Sequence, residues 1–70
     1  MAIDGAALKT LRERSGATRT RYAADLGISL QYLCDIEEGR RMLKRRPDLI
    51  KQMAELLDVP QYMIEQRRSA

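Results

Sequence analysis

From Thr18 to Gly39 the chain runs TRTRYAADLGISLQYLCDIEEG. Ala23 and Leu26, then Leu33 and Ile36, recur at the spacing of helices that bury one face. Thr18 suits the N-cap of a helix over Arg19–Leu26, with Ala23 and Leu26 inward and Tyr22 beside them. Gly27 ends that helix and Ile28 fills the turn. Ser29 caps the next helix, Leu30–Glu37, which Gly39 stops. A Gly-Ile-Ser link is too short for two helices to run back along each other, and suits a steep crossing.

The helical period continues on both sides. A helix over Gly5–Ser15 has Asp4 as N-cap, Gly16 as terminator, Leu8 and Leu11 on one face and Ile3 stapling its start. After the loop Arg40–Arg46, Pro47 sits in a first helical turn, where its missing N–H costs nothing. That helix runs to about Leu57, with Leu49 or Ile50, Met53, Ala54 and Leu57 inward. Pro60 opens a last helix carrying Met63 and Ile64, Met63 completing the core, before a tail that frays over Gln66–Ala70. No stretch alternates with period two for long enough to argue a strand. The expectation is one all-α domain over residues 1–70, five short helices around one apolar cluster, with a helix-turn-helix unit at about residues 18–38.

Composition narrows the function. Seventy residues hold one small domain, too small for a two-domain enzyme or an added sensor. Phe and Trp are absent, so the core is aliphatic. With no His and a single Cys, the usual catalytic base, a Cys-based metal site and an internal disulfide are all excluded. No cofactor and no small-molecule ligand is expected. No apolar run approaches a membrane span and no signal peptide is evident, so a cytoplasmic protein with no membrane partner is expected. The net charge is +3, and its placement is uneven. Arg40, Arg41, Lys44, Arg45 and Arg46 put five cations into seven residues, whereas Asp48–Glu65 holds four acids and one base. Such a distribution favours an anionic partner.

Taken together, Ala23, Gly27, Ile28, Ser29, Tyr32, Leu33, Ile36, Glu37 and Gly39, with Leu8, Leu11, Arg12 and Gly16 before them, resemble the phage Cro and CI repressor family, also called Xre-like. Leu57-Asp58-Val59-Pro60 is similar to that family's link between its last two helices, so the likeness spans about Leu8 to Ile64. It implies a compact five-helix, lambda-repressor-like fold. It also implies a structural ion pair between Arg12 and Glu37, because the family pairs an Arg late in its first helix with a Glu after the recognition helix.

The resemblance further implies a sequence-specific transcription regulator, a repressor of phage or bacterial type, whose partner is double-stranded DNA. The recognition helix would enter the major groove with its N-terminal half. Ser29, Leu30, Gln31 and Asp35 are then candidate base contacts: Gln31 bidentate to adenine, Leu30 against a thymine methyl. Asp35 could accept from cytosine N4 or orient a neighbouring Arg, and Cys34 is a small spacer. Arg19 stands where related domains have Gln, and in a first helical turn it opposes the helix dipole. A phosphate or guanine edge would relieve that conflict, which makes Arg19 a base-contact candidate. Phosphate contacts are expected from Thr18, Arg21, Tyr32, Arg40, Arg41, Lys44 and Arg45.

A unit this small commonly binds paired half-sites as a homodimer, for which Leu43, Tyr62 and Met63 are candidates. Leu43 could equally be a core anchor. A protein-interaction module on the same fold is the second functional reading, and an enzyme the weakest.

Overall fold

The computed structural model describes residues 2–66. Four α-helices follow in order, α1 (Gly5–Ser15), α2 (Arg19–Leu26), α3 (Leu30–Glu37) and α4 (Pro47–Leu57), and then one 3₁₀ turn, Gln61–Ile64. Their boundaries follow local chemistry. Asp4, Thr18 and Ser29 each accept a hydrogen bond from the backbone N–H three residues on, at 3.2, 3.1 and 3.0 Å. Gly27 takes the left-handed conformation that turns α2 into the link before α3, at φ 71°. Pro47 is the first residue of α4.

The expected fifth helix is instead that single 3₁₀ turn. Long-range backbone pairing competes for this end of the chain. Asp4 N–H donates to Ile64 O at 2.7 Å, Gln66 N–H donates to Ala2 O at 2.9 Å, and Ile3 and Glu65 form an isolated antiparallel bridge. Residues drawn into extended pairing cannot extend an α-helix. In a 3₁₀ turn residues three apart eclipse, so Ile64 is buried while Met63 turns outward, 41% exposed. Met63 therefore does not complete the core. Of the tail expected to fray, Gln66 is hydrogen-bonded to Ala2, and residues 67–70 lie outside the described residues.

The core joins all the helices. Leu8, Leu33, Ile36, Leu49, Ile50 and Met53 are buried, together with Ile3 and Ile64 from the two ends of the fold. Each such side chain contributes about 1.5–3 kcal/mol over its exposed state. Tyr22 is buried too, and its hydroxyl donates to Met53 O at 2.8 Å, tying α2 to α4. Burial, and secondly the charge of Glu37, push the Tyr22 phenol up, so it stays a neutral donor. Leu43 is buried, which makes it the anchor of the basic loop and removes it from any subunit contact. The carbonyl of Met42 beside it accepts from Ile3 N–H at 2.9 Å. Among the described residues no helix is long and apolar enough to cross a membrane.

Gly5 marks the closest approach of two helices. A Cβ there would collide with the carbonyl oxygens of Ile36 and Glu37, so α1 and α3 meet backbone to backbone. Gly5→Ala is expected to lower stability by about 1–3 kcal/mol through overpacking, despite alanine's better helix propensity. Urea unfolding of the variant measures this. An unchanged midpoint would show that α1 can move away from α3 without cost.

Candidate nucleic-acid interface

The outward side of α3 is the surface that the core leaves free. Leu33 and Ile36 are buried. Leu30 is 46% exposed, Gln31 and Ser29 are exposed, and Cys34, Asp35 and Tyr32 are half-buried. Ser29 Oγ accepts from Tyr32 N–H at 3.0 Å, and its hydroxyl proton is left for a donor role.

Two groups of cations converge on this helix. The first is at its C-terminal end. Arg12 Nε donates to Glu37 Oε2 at 2.7 Å and Arg12 Nη2 to Glu37 Oε1 at 3.3 Å, a bidentate geometry. Arg12 Nη1 donates to Ala17 O at 2.8 Å, so the guanidinium also fixes the link between α1 and α2. Arg19 Nε donates to Glu37 Oε1 at 3.0 Å. The hydrogen bond to Glu37, then that carboxylate's charge, hold Arg19 above its ordinary pKa. The conflict between Arg19 and the dipole of α2 is thus relieved inside the chain, by Glu37. The Arg19 side chain is still 42% exposed.

The second group is the basic loop. Arg40 Nη1 lies 3.4 Å from Asp35 Oδ1 and the same distance from Glu38 Oε2. Arg41 Nε lies 3.8 Å from Asp35 Oδ2, and its guanidinium sits over the Tyr32 ring, 4.7 Å from the centroid. Of the two alternatives for Asp35, orienting an arginine is the one present in this geometry. Tyr32 and the loop Arg40–Arg46 line one shallow depression, which brings Tyr32, Arg40, Arg41, Lys44 and Arg45 to one surface. Lys44 and Arg45 make no ion pair among the described residues.

Thr18 and Arg21 lie at the start of α2, apart from the loop. Thr18 is occupied as the cap, and Arg21 Nε forms an exposed pair with Asp25 at 3.2 Å. Arg46, counted in the basic cluster but not among the expected phosphate contacts, stands at the N-cap of α4 without a side-chain capping bond; it pairs with Asp48 at 3.3 Å and holds that carboxyl below its ordinary pKa. The spacing of two between Arg46 and Asp48 was the available signal.

A family model described as "Helix-turn-helix domain" matches residues 5–66. No curated protein matches the sequence. Among solved structures, the chain is similar to the clp gene regulator ClgR from C. glutamicum, with a TM-score of 0.74 and 28% identity over 83% of this chain and 73% of that one. It is similar to the restriction-modification controller protein C.AhdI from Aeromonas hydrophila, with a TM-score of 0.74 and 25% identity over 84% of this chain and 86% of that one. SinR, a master regulator for biofilm formation solved in complex with DNA, shares the fold, with a TM-score of 0.74 and 22% identity over 84% of this chain and 95% of that one.

Glu37 is the test of this geometry, because its side chain is 1% exposed and meets two cations. Glu37→Gln leaves the Arg12 guanidinium buried without a counter-charge and is expected to cost about 3 kcal/mol. At roughly 0.05–0.15 kcal/mol per residue, that is more than a quarter of the whole stability of so short a chain. Thermal unfolding followed by circular dichroism measures the loss. Unfolding that matches the parent would make the ion pair dispensable.

Proposed function

We propose that this chain, which belongs to the helix-turn-helix domain family, is a sequence-specific regulator of transcription that binds double-stranded DNA and acts as a repressor. One observation carries the reading: cations from α2 and from the basic loop are both tethered to α3, Arg19 through Glu37 and Arg40 and Arg41 through Asp35. Both tethers lie in the second half of α3, and Gln31 and Leu30 are left exposed at its N-terminal end. That arrangement suits a helix lying in a major groove between two phosphate backbones. ClgR and C.AhdI, a gene regulator and a controller protein, support the regulatory role.

The roles follow from side-chain chemistry. Gln31 offers a donor and an acceptor to adenine, Leu30 packs on a thymine methyl, and Ser29 donates from the cap. Arg19 reaches a guanine edge or phosphate with the nitrogens that Glu37 leaves free. Asp35 lies beside the base edges. Thr18, Arg21, Tyr32, Arg40, Arg41, Lys44 and Arg45 hold the phosphate backbone and set the register of α3.

The DNA-bound form is a homodimer on paired half-sites. Tyr62 is 63% exposed, and Met63 lines a shallow groove with Ala7 and Leu11 of α1. These exposed apolar groups form the self-association surface.

Binding to randomised duplexes tests the reading. Gln31→Ala is expected to change the preferred base at one position of each half-site. Arg41→Ala is expected to weaken binding to every sequence and to reduce the slope of log affinity against log salt by about 1. Equal affinity for all duplexes, with Gln31→Ala silent, would sink the sequence-specific reading in favour of a protein-interaction module. Sedimentation equilibrium of the chain with its half-sites checks the dimer: Tyr62→Ser with Met63→Ser is expected to shift it to monomer, and an unshifted mass places the interface elsewhere.

A further inference from the structure

Gln31 and Asp35 stand four residues apart on the outer side of α3, and Gln31 Nε2 donates to Asp35 Oδ1 at 3.0 Å. An ionised carboxylate can only accept, so the Gln31 amide must turn its NH2 group toward Asp35. Its Oε1 is thereby turned away. Asp35 is itself fixed. Its Oδ1 also faces Arg40 Nη1 at 3.4 Å, its Oδ2 faces Arg41 Nε at 3.8 Å, and its backbone carbonyl accepts from Arg40 N–H at 2.8 Å. The Asp35 side chain is only 19% exposed, against 64% for Arg40 and 54% for Arg41. The amide of Gln31 is therefore oriented before any partner arrives.

We infer that Asp35 sets the base preference of α3 through Gln31, selecting adenine over guanine by occupying one of the two amide N–H groups. The inference rests on the proposed reading of DNA by α3. With one N–H held by Asp35, Gln31 has one donor and one acceptor left. Adenine offers N7 as acceptor and the N6 amino group as donor, which that pair matches. Guanine offers two acceptors, N7 and O6. A free glutamine amide can meet both with its two N–H groups, whereas the held one cannot, and the Asp35 carboxylate adds repulsion toward a second acceptor. Asp35 is thus a positioning residue, and it discriminates by denying the wrong base its second hydrogen bond.

The experiment selects from randomised duplexes with the full chain and with Asp35→Ala, Asp35→Asn, Gln31→Ala and the Asp35→Ala/Gln31→Ala pair. The parent should prefer adenine over guanine by about tenfold or more at the position Gln31 reads. Asp35→Ala should bring that ratio to within about threefold, at that position alone, by admitting guanine. Asp35→Asn, which keeps an oxygen beside Gln31, should retain the preference. The double variant should match Gln31→Ala, because Asp35 acts only through that amide. An unchanged ratio in Asp35→Ala overturns the inference and leaves the proposed function standing. A loss spread over every position of the site also overturns it, by assigning Asp35 a general structural role. A parent chain that binds no duplex, or binds all equally, overturns the proposed function and this inference with it.

Discussion

Glu37 carries a carboxylate into the centre of a 70-residue chain and meets two guanidinium groups there, Arg12 from α1 and Arg19 from α2. Three helices and the link at Ala17 are tied at that one point. Desolvating a charge costs several kcal/mol, and a buried pair returns that cost only with good geometry and full hydrogen bonding. Both conditions are met, since no buried side-chain nitrogen or oxygen among the described residues is without a partner. The apolar core supplies the stability. The ion cluster fixes the angle, because an aliphatic interface of Leu and Ile tolerates sliding, whereas a bidentate pair does not. Two cations on one anion leave a surplus positive charge, and it emerges through Arg19, the partner that is partly exposed.

The close approach at Gly5 completes this constraint. Glu37 can reach Arg12 because α1 lies against the carbonyls of Ile36 and Glu37, where only a hydrogen fits. The ends of the chain close the fold from the other side. Ile3, flanked by Met42 and Glu65, brings the basic loop and the last turn onto one backbone segment. Leu43 adopts a positive φ of 54° to put its side chain in the core. For a γ-branched residue that conformation costs about 1 kcal/mol or more, and burial of the side chain offsets it. An arginine-rich loop that would otherwise spread in solvent is thereby held in one place.

What the sequence made legible is what short-range chemistry controls. Asp4, Thr18 and Ser29 mark the starts of α1 to α3, Gly16 and Gly27 the stops of the first two, Gly39 lies two residues past the end of the third, and Pro47 opens α4, so these bounds could be read from the residues alone. The last turn was illegible because hydrogen bonds from Asp4 and Gln66, some 60 residues apart in the chain, decide it. Met63 was misplaced for the same reason, since its side depends on 3₁₀ rather than α periodicity. Gly5 looked like an ordinary first helical residue, and nothing local shows which backbone it will meet. Arg19 was visible as an anomaly in a first helical turn, but its partner Glu37 lies 18 residues on, and only the fold brings them together.

The basic loop is also less uniformly charged than its sequence suggests, and the difference bears on what it can do. Arg40 and Arg41 face Asp35, Arg40 also faces Glu38, and Arg46 faces Asp48. Exposed pairs such as Arg46–Asp48 are worth about 0–1 kcal/mol, so a phosphate could replace the carboxylate at little cost. Asp35 is different, because it is largely covered and also bonds Gln31. Its arginines are pinned to α3 before an anion arrives, and less side-chain entropy remains to be lost when one does. Lys44 and Arg45 have no such partner among the described residues, so no carboxylate orients them in the free chain. Within five cations the loop thus holds two kinds that a composition count merges: guanidinium groups that face carboxylates, and Lys44 and Arg45, which face none among the described residues.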